Sequence, residues 1–270
     1  MPDQSGRVVL VTGAAGGIGA AITRALVDAG HRVAAVDRDA AALDRLDKSQ
    51  RIHPFLIDLS SAGACHETVA STVARFGRLD AVINNAGIGP SSLRPDAEAN
   101  LPRIEELSGD IWDNFFAINV RAPMLLTQAA VPHMRQGGFG RVINNTTSFR
   151  TMLRVLPYGA TKSALEAMSA IWAQELKADG ITVNVLIPGG PTDTAFIADG
   201  AGWDRAKMLR PEIMGPPACW LISDEAADYT GQRIIAAKWD AALPGKDAAA
   251  KAGRAIGWPE LGADAVWLQG

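Results

Sequence analysis

The sequence predicts an α/β fold: one doubly wound domain, a parallel sheet of seven strands with helices on both faces. Three observations point there. Short, valine-rich apolar runs alternate with helical patterns along most of the 270 residues, the pattern of parallel strands joined by right-handed crossovers. A glycine-rich turn joins the first strand to the first helix. Polar, motif-like residues fall repeatedly just past the ends of strands, on the rim where such sheets bind ligands.

Arg7-Val8-Val9-Leu10-Val11-Thr12 is a continuous apolar run, as expected of a strand buried on both faces. Gly13-Ala14-Ala15-Gly16-Gly17-Ile18-Gly19 follows, and Ala20 to Ala29 reads as a helix closed by Gly30. Glycines allow the tight turn and the close approach of a pyrophosphate. The helix start supplies free N–H groups and the positive end of its dipole. The motif is Thr12-Gly13-x-x-x-Gly17-x-Gly19, not G-x-G-x-x-G; the bland alternative is a flexible loop with no ligand. A second strand, Arg32 to Val36, ends in Asp37, about twenty residues past the turn, where a carboxylate accepts hydrogen bonds from an adenosine ribose. It would also repel a 2′-phosphate, which favours NAD(H). Arg38 pulls the other way, because a guanidinium can grip a phosphate.

Asp39 to Lys48 reads as a helix with an aspartate cap, and Ile52 to Ile57 as a third strand ending at Asp58-Leu59. Ala62 to Phe76 is helical. Leu79 to Ile83 is a fourth strand, ending at Asn84-Asn85-Ala86-Gly87. Gly13, Asp37, Asp58 and Asn85 then share one rim. Ile88 to Gly109 is a long, polar, proline-containing loop with helical character near Leu101 to Leu107, a length typical of functional or mobile segments. Asp110 to Gln136 reads as one long helix. Within it Asn119 interrupts an apolar stretch and needs partners, either backbone groups or a water leading to the site.

Arg141 to Asn145 is a fifth strand ending in the hydroxyl cluster Thr146-Thr147-Ser148. Pro157 to Lys177 is a helix, stopped by Gly180. Ile181 to Ile187 is a sixth strand, followed by Pro188-Gly189-Gly190-Pro191-Thr192-Asp193-Thr194. From there to Gly215, isolated large apolar groups (Phe196, Ile197, Trp203, Met208) suggest a lid. Pro217 to Ser223 is a short helix and Arg233 to Ala237 a seventh strand. From Ala241 the composition shifts to Gly, Ala and Pro, with Trp258 and Trp267. Residues 1–240 thus form one domain, and 241–270 an extension packed on it or on a neighbouring subunit.

Tyrosine occurs only twice, and Tyr158 stands four residues before Lys162, on the same face of a helix. A phenol with a pKa of about 10 is a poor base, but a nearby cation favours its phenolate. Such a tyrosine can exchange a proton with a substrate oxygen. The bland alternative is a surface pair that meets by chance.

Composition excludes other classes. The net charge is −3 and no basic stripe is visible, which argues against nucleic acid. Cys65 and Cys219 are isolated, pointing to a reducing compartment without disulfides. The four histidines lack metal-ligand spacing, so no metal is expected. No signal peptide and no run of membrane-spanning length is present, so a cytoplasmic protein is expected.

Thr12-Gly13-x-x-x-Gly17-Ile18-Gly19, Asn84-Asn85-Ala86-Gly87, Asn119, Thr147-Ser148, Tyr158-x-x-x-Lys162 and Pro188-Gly189, in this order, resemble the short-chain dehydrogenase/reductase family from about Arg7 to Asp240. The resemblance implies a Rossmann-type domain and an NAD-dependent enzyme acting on CH–OH groups. It makes Tyr158 the general acid/base, with Lys162 lowering its pKa and gripping the nicotinamide ribose. Ser148 would polarise the carbonyl and Asn119 would order a relay water. Asp37 would mark NAD, and Asp58 would contact adenine. Gly13, Ala15, Gly17, Ile18, Arg38, Leu59, Asn85, Ala86, Gly87, Pro188, Gly189 and Thr192 or Thr194 would complete the cofactor site. The family usually forms dimers or tetramers through the two long helices. Hydride would pass between nicotinamide and a secondary alcohol or ketone of apolar or aromatic character, as the lid and tail tryptophans favour.

The rival readings are an NADPH-dependent ketone reductase of the 3-oxoacyl type and a non-catalytic nucleotide sensor. Four departures from the family pattern stand out. Ser148 is only ten residues before Tyr158, shorter than the family's gap, and Thr147 aligns nearly as well. The loop after Gly87 is long, the turn after Pro188 holds an extra glycine, and Ala237-Lys238-Trp239-Asp240 replaces the usual Asp-Gly-Gly.

Overall fold

A computed structural model describes residues 6–46 and 48–262. One sheet holds eight strands in the order β3-β2-β1-β4-β5-β6-β7-β8. They are β1 (Val8–Thr12), β2 (Arg32–Asp37), β3 (Ile52–Leu56), β4 (Ala81–Asn84), β5 (Gly140–Asn145), β6 (Ile181–Ile187), β7 (Gln232–Ile235) and β8 (Gly253–Ala255). The seven expected strands are present and mutually parallel. The eighth is an addition, antiparallel to β7 with Arg233 opposite Arg254. Its three residues, Gly-Arg-Ala, carry no apolar run, so no strand pattern announces it.

The sides of the sheet follow from strand alternation. Val8 and Leu10 belong to one core with Val69, Leu126 and Ala173, from α3 (Ala62–Phe76), α5 (Ala122–Gly137) and α7 (Tyr158–Glu175). Val9 and Val11 belong to the other with Ile22, Leu26 and Leu221, from α1 (Gly17–Asp28) and α8 (Gly215–Ile222). Every residue of β1 is buried, as a central strand covered on both faces requires. Strand order reverses between β1 and β4, and ligands bind in the crevice at such a switch point. Thr12 closes its floor, its Oγ1 accepting the N–H groups of Asn85 and Ala86 at 3.0 Å each.

The expected single helix over Asp110 to Gln136 is three pieces. α4 (Gly109–Phe116) runs into a π-helical turn, Ala117–Arg121, and then into α5. Pro123 explains the break: it has no N–H to give the carbonyl of Asn119 four residues back, and the Ala122 N–H reaches the Ala117 carbonyl instead. The loop after Gly87 keeps two single 3₁₀ turns, Pro90–Ser92 and Ile104–Glu106. Arg94 braces it through Glu106 (2.9 Å) and the Asn100 carbonyl (2.8 Å). The helix expected from Asp39 to Lys48 is limited to α2 (Ala40–Asp44), which Asp39 caps through the Ala42 N–H.

After β7 the chain stays on this domain as far as it is described. α9 (Gly245–Ala252) leads into β8, Lys251 pairs with Asp240 at 3.0 Å, and Trp258 lies 5.7 Å from the ring of Phe149. Trp267 lies outside the described residues. Among the described residues no helix is long and apolar enough to cross a membrane, and no group of three or more His, Cys, Asp or Glu could hold a metal ion.

Candidate active site

The C-terminal ends of the parallel strands border a cleft of ≈ 1030 Å³. Of the residues expected at the cofactor, all but Ala15 line it. α1 begins at Gly17 behind Gly16, a cap without a side chain. The first intrahelical bond is Ala20 N–H to the Gly16 carbonyl, 2.8 Å. The N–H groups of Gly17, Ile18 and Gly19 are thus left without intrahelical acceptors, the situation that suits a helix start to an anion. The turn needs its glycines: Gly13 has φ 61°, a Cβ on Gly17 would enter the Thr194 side chain, and one on Gly19 would enter the Gly13 carbonyl.

Asp37, at the tip of β2, is pinned beside this turn. Its Oδ2 accepts the Ala15 N–H at 3.0 Å and its Oδ1 the Asp39 N–H at 3.2 Å. Ala15 therefore holds the acid in place without lining the cleft. Arg38 is exposed next to it, with no side-chain partner among the described residues. Asp58 lines the same end, its Oδ1 accepting the Ser60 N–H at 2.9 Å. Asn85 Nδ2 donates to the carbonyls of Thr12 (3.0 Å) and Gly13 (3.2 Å), tying the β4 end to the glycine turn.

At the other end, Tyr158 begins α7. Its ring packs with Ile88, Phe115 and Ile118 and lies 5.7 Å from the Phe196 ring. Burial pushes the phenol up to about 12, against a lowering by the neighbouring Thr147 side chain. Lys162 is not among the groups that lower it. Lys162 Nζ sits 5.7 Å from the Tyr158 ring centroid and donates to the Asn145 carbonyl at 2.7 Å. It is only 3% exposed, and burial lowers its pKa to about 8.

Ser148 lines the cleft and also serves a helix. Its Oγ accepts the Thr151 N–H at 3.1 Å and meets Thr151 Oγ1 at 2.8 Å, capping the short helix α6 (Phe149–Met152). Ser148 is engaged there because the residue before a helix's first turn gives its side chain to the free N–H groups; Thr147, beside it in the cleft lining, is the side chain that lowers the Tyr158 pKa.

Asn119, wholly buried, lies in the π turn. Its Oδ1 accepts the Ile88 N–H at 2.9 Å, and its Nδ2 donates to the Ile88 carbonyl and to Thr161 Oγ1, both at 3.0 Å. The side chain is spent on backbone, the plainer of the two expectations, and it does not line the cleft. A Cβ on Gly87 would lie 3.1 Å from Asn119 Oδ1 and 3.4 Å from Lys162 Nζ, so Asn119 sets the wall beside the lysine.

The lid divides its labour. Ile197 and Met208 pack with Ala201 in a small core of their own. Phe196 and Trp203 line the cleft. Arg205 ties the segment together through Asp193 (2.8 Å) and Asp199 (2.7 Å). The Ala198 N–H docks on Ser91 Oγ at 3.1 Å, fastening the lid to the loop after Gly87. Among the lining residues that sequence reasoning missed are Glu98 and Leu101 from that loop, and Arg150 and Arg154 between Ser148 and Tyr158. The two arginines are exposed and have no ion-pair partner among the described residues. Their only sequence signal was their place in the short link from hydroxyl to tyrosine.

Residues 7–201 match the family model described as short chain dehydrogenase. This chain belongs to the short-chain dehydrogenase family. It is 34% identical over 248 residues to an L-fucose dehydrogenase of Oryctolagus cuniculus, covering 86% of this chain and 84% of that protein. It is 32% identical over 246 residues to a D-threitol dehydrogenase of Mycolicibacterium smegmatis, with 85% and 91% covered. Among solved structures it is similar to a blue fluorescent protein from a metagenomic library in complex with NADPH, at 29% identity and a TM-score of 0.72, covering 86% of this chain and 96% of that one. As a short-chain dehydrogenase the protein is an oxidoreductase acting on alcohols or ketones.

Proposed function

We propose that this short-chain dehydrogenase transfers hydride reversibly between NAD(H) and a secondary alcohol or its ketone. The observation that carries this reading is that Tyr158, Lys162 and Thr147 stand together in the wall of a cleft that Asp37 also lines. The cleft fits a dinucleotide: free N–H groups at the α1 start suit a pyrophosphate, and the pinned Asp37 suits an adenosine ribose. When bound, the nicotinamide supplies or accepts the hydride at its C4.

The chain's own residues do the rest. Tyr158 takes the hydroxyl proton during oxidation and returns it during reduction. Thr147 offers a second hydrogen bond to the same substrate oxygen, holding charge as it develops there. Lys162 brings a buried positive charge beside Tyr158, and Asn119 fixes the Gly87–Ile88 wall. Phe196 covers the tyrosine from the lid side and screens it from water. A secondary alcohol with an apolar or aromatic flank is supported by Phe196, Trp203 and Leu101 in the lining. Relatives acting on L-fucose and D-threitol extend the range to polyhydroxylated alcohols, and Arg150 and Arg154 would meet polar groups at the rim. Assembly into a homodimer or homotetramer is supported by Ile171, 59% exposed on α7. Two free cysteines favour the cytoplasm.

Cofactor choice is tested by titrating nicotinamide fluorescence with NADH and with NADPH. Tight NADH and weak NADPH are expected, and Asp37→Ala should weaken NADH selectively, about tenfold or more, the scale of hydrogen bonds to a charged group. An unchanged NADH/NADPH ratio would remove Asp37 from that role. Tight NADPH would favour the 3-oxoacyl-type reductase, for which the free Arg38 speaks. Binding without turnover of any alcohol or ketone would favour the sensor.

The polarising hydroxyl has its own test. Thr147→Ala is expected to lower kcat by about tenfold to a hundredfold. Ser148→Ala should act mainly on stability, by about 1 kcal/mol through loss of the α6 cap. A larger rate loss in Ser148→Ala would reverse the assignment.

A further inference from the structure

We propose that Glu166 and Arg233, which do not line the cleft, are positioning residues whose ion pair fixes the turn that presents Thr147 to the cleft beside Tyr158. The proposal rests on the dehydrogenase reading above.

β5 leaves the sheet at Asn145, and the next two residues must hold a hydroxyl in place without help from a strand partner. Four consecutive residues are tied down one by one. Asn144 Nδ2 donates to Ser169 Oγ at 2.7 Å. The Asn145 carbonyl accepts Lys162 Nζ at 2.7 Å. Thr146 Oγ1 donates to Glu166 Oε2 at 2.8 Å. The Thr147 carbonyl accepts Arg233 Nη2 at 2.7 Å. The first three partners belong to α7, where Tyr158, Lys162, Glu166 and Ser169 recur at helical spacing along one face. The fourth reaches across from β7, and Glu166 holds it: Arg233 Nε donates to Oε1 at 2.9 Å and Nη2 to Oε2 at 3.0 Å.

This forked geometry fixes direction as well as distance. Glu166 is 1% exposed and Arg233 11%. A pair so buried contributes little net stability, because desolvation offsets its attraction. What it supplies is a fixed anchor. With the carbonyl of Thr147 held from behind by Arg233 and the side chain of Thr146 held by Glu166, the rotation of Thr147 is limited to its own χ1, whose staggered positions are few. Thr147 is then presented to the cleft beside Tyr158 without a search. Lysine at 233 could reach the Thr147 carbonyl but could not fork onto Glu166.

The test compares Arg233→Met, Arg233→Lys and the double variant Glu166→Leu/Arg233→Met. Removing one partner leaves a buried lone charge and is expected to lower stability. Removing both leaves none, so the double variant is expected to melt near the wild type. Its kcat should nonetheless stay about tenfold to a hundredfold low, with the NADH dissociation constant unchanged. Arg233→Lys should recover part of the loss.

A second readout needs no turnover. In a Tyr229→Phe background Tyr158 is the chain's remaining tyrosine. The onset of phenolate absorbance should move up by about half a unit to one unit in the double variant, because Thr147, the neighbour that lowers it, is no longer held in place. Lys162, the charged group beside that ring, is untouched in every variant. A double variant that regained full kcat along with its melting temperature, or an unmoved phenolate onset, would reduce the pair to a structural role. A shifted onset in a protein whose wild type oxidises no alcohol would uphold the positioning and sink the dehydrogenase reading instead.

Discussion

Replacing Tyr158 with phenylalanine is expected to lower turnover at least ~100-fold, the usual worth of general acid–base help, while NADH binding stays nearly unchanged. The substitution removes one oxygen and leaves the ring. That ring makes the packing contacts with Ile88, Phe115 and Ile118, so the wall of the cleft should survive. Thr147 is the neighbouring side chain that lowers the phenol's pKa, and its hydroxyl can turn to the substrate oxygen or to water, so no buried donor is stranded. Stability should hold or rise slightly. The measurements are steady-state kcat in both directions, NADH fluorescence titration and the melting temperature. Turnover within a few fold of wild type would show that another group moves the proton. A lost melting transition with lost activity would show only unfolding, and the intact ring argues against it.

Most of the frame was legible because parallel strands buried on both faces have to be apolar throughout. Val8 to Thr12 and Ile181 to Ile187 are examples. The glycine turn was legible because its glycines are needed by clashes any Cβ would cause, as at Gly19 against the Gly13 carbonyl. What escaped were features decided by a single residue's partner and not by a period. Pro123 was in view, but the π turn it provokes places Asn119 against Ile88, which no periodicity encodes. That Ser148 caps α6 follows from where that short helix starts, which no period marks. β8 forms because α9 delivers Gly253 to Ala255 beside an open strand edge, not because its residues favour extension. Glu166 was visible as the next residue in the helical series from Tyr158 and Lys162, yet its partner Arg233 is 67 residues away.

Lys162 makes a further case that this site is built against stability. Its folded pKa, about 8, lies below the ordinary 10.5, and burial is the cause. The sign follows from proton counting. Below pH 8 the amine is charged folded and unfolded, and the folded state bears the full cost of burying it. Between about 8 and 10.5 the unfolded chain binds more protons than the folded one, so stability rises with pH. Above that window both forms are neutral and the penalty is gone.

Lys162→Met is therefore expected to stabilise the protein at pH 7. At about 1.4 kcal/mol per pKa unit the relieved penalty is on the order of 3 kcal/mol. The lost bond to the Asn145 carbonyl returns about 1–2 kcal/mol of it. The net gain of about 1–2 kcal/mol should shrink as pH approaches 10, while activity falls steeply at every pH. Denaturant unfolding of both proteins at pH 7 and pH 10 reads this directly. A variant weaker than wild type at pH 7, with the same pH slope, would mean that Lys162 is a structural anchor for the β5 end. The expected pattern, more stable but inactive, is what a charge kept for a ligand or a proton would give. A buried ammonium whose one fixed partner is a neutral carbonyl has donors to spare for a ribose.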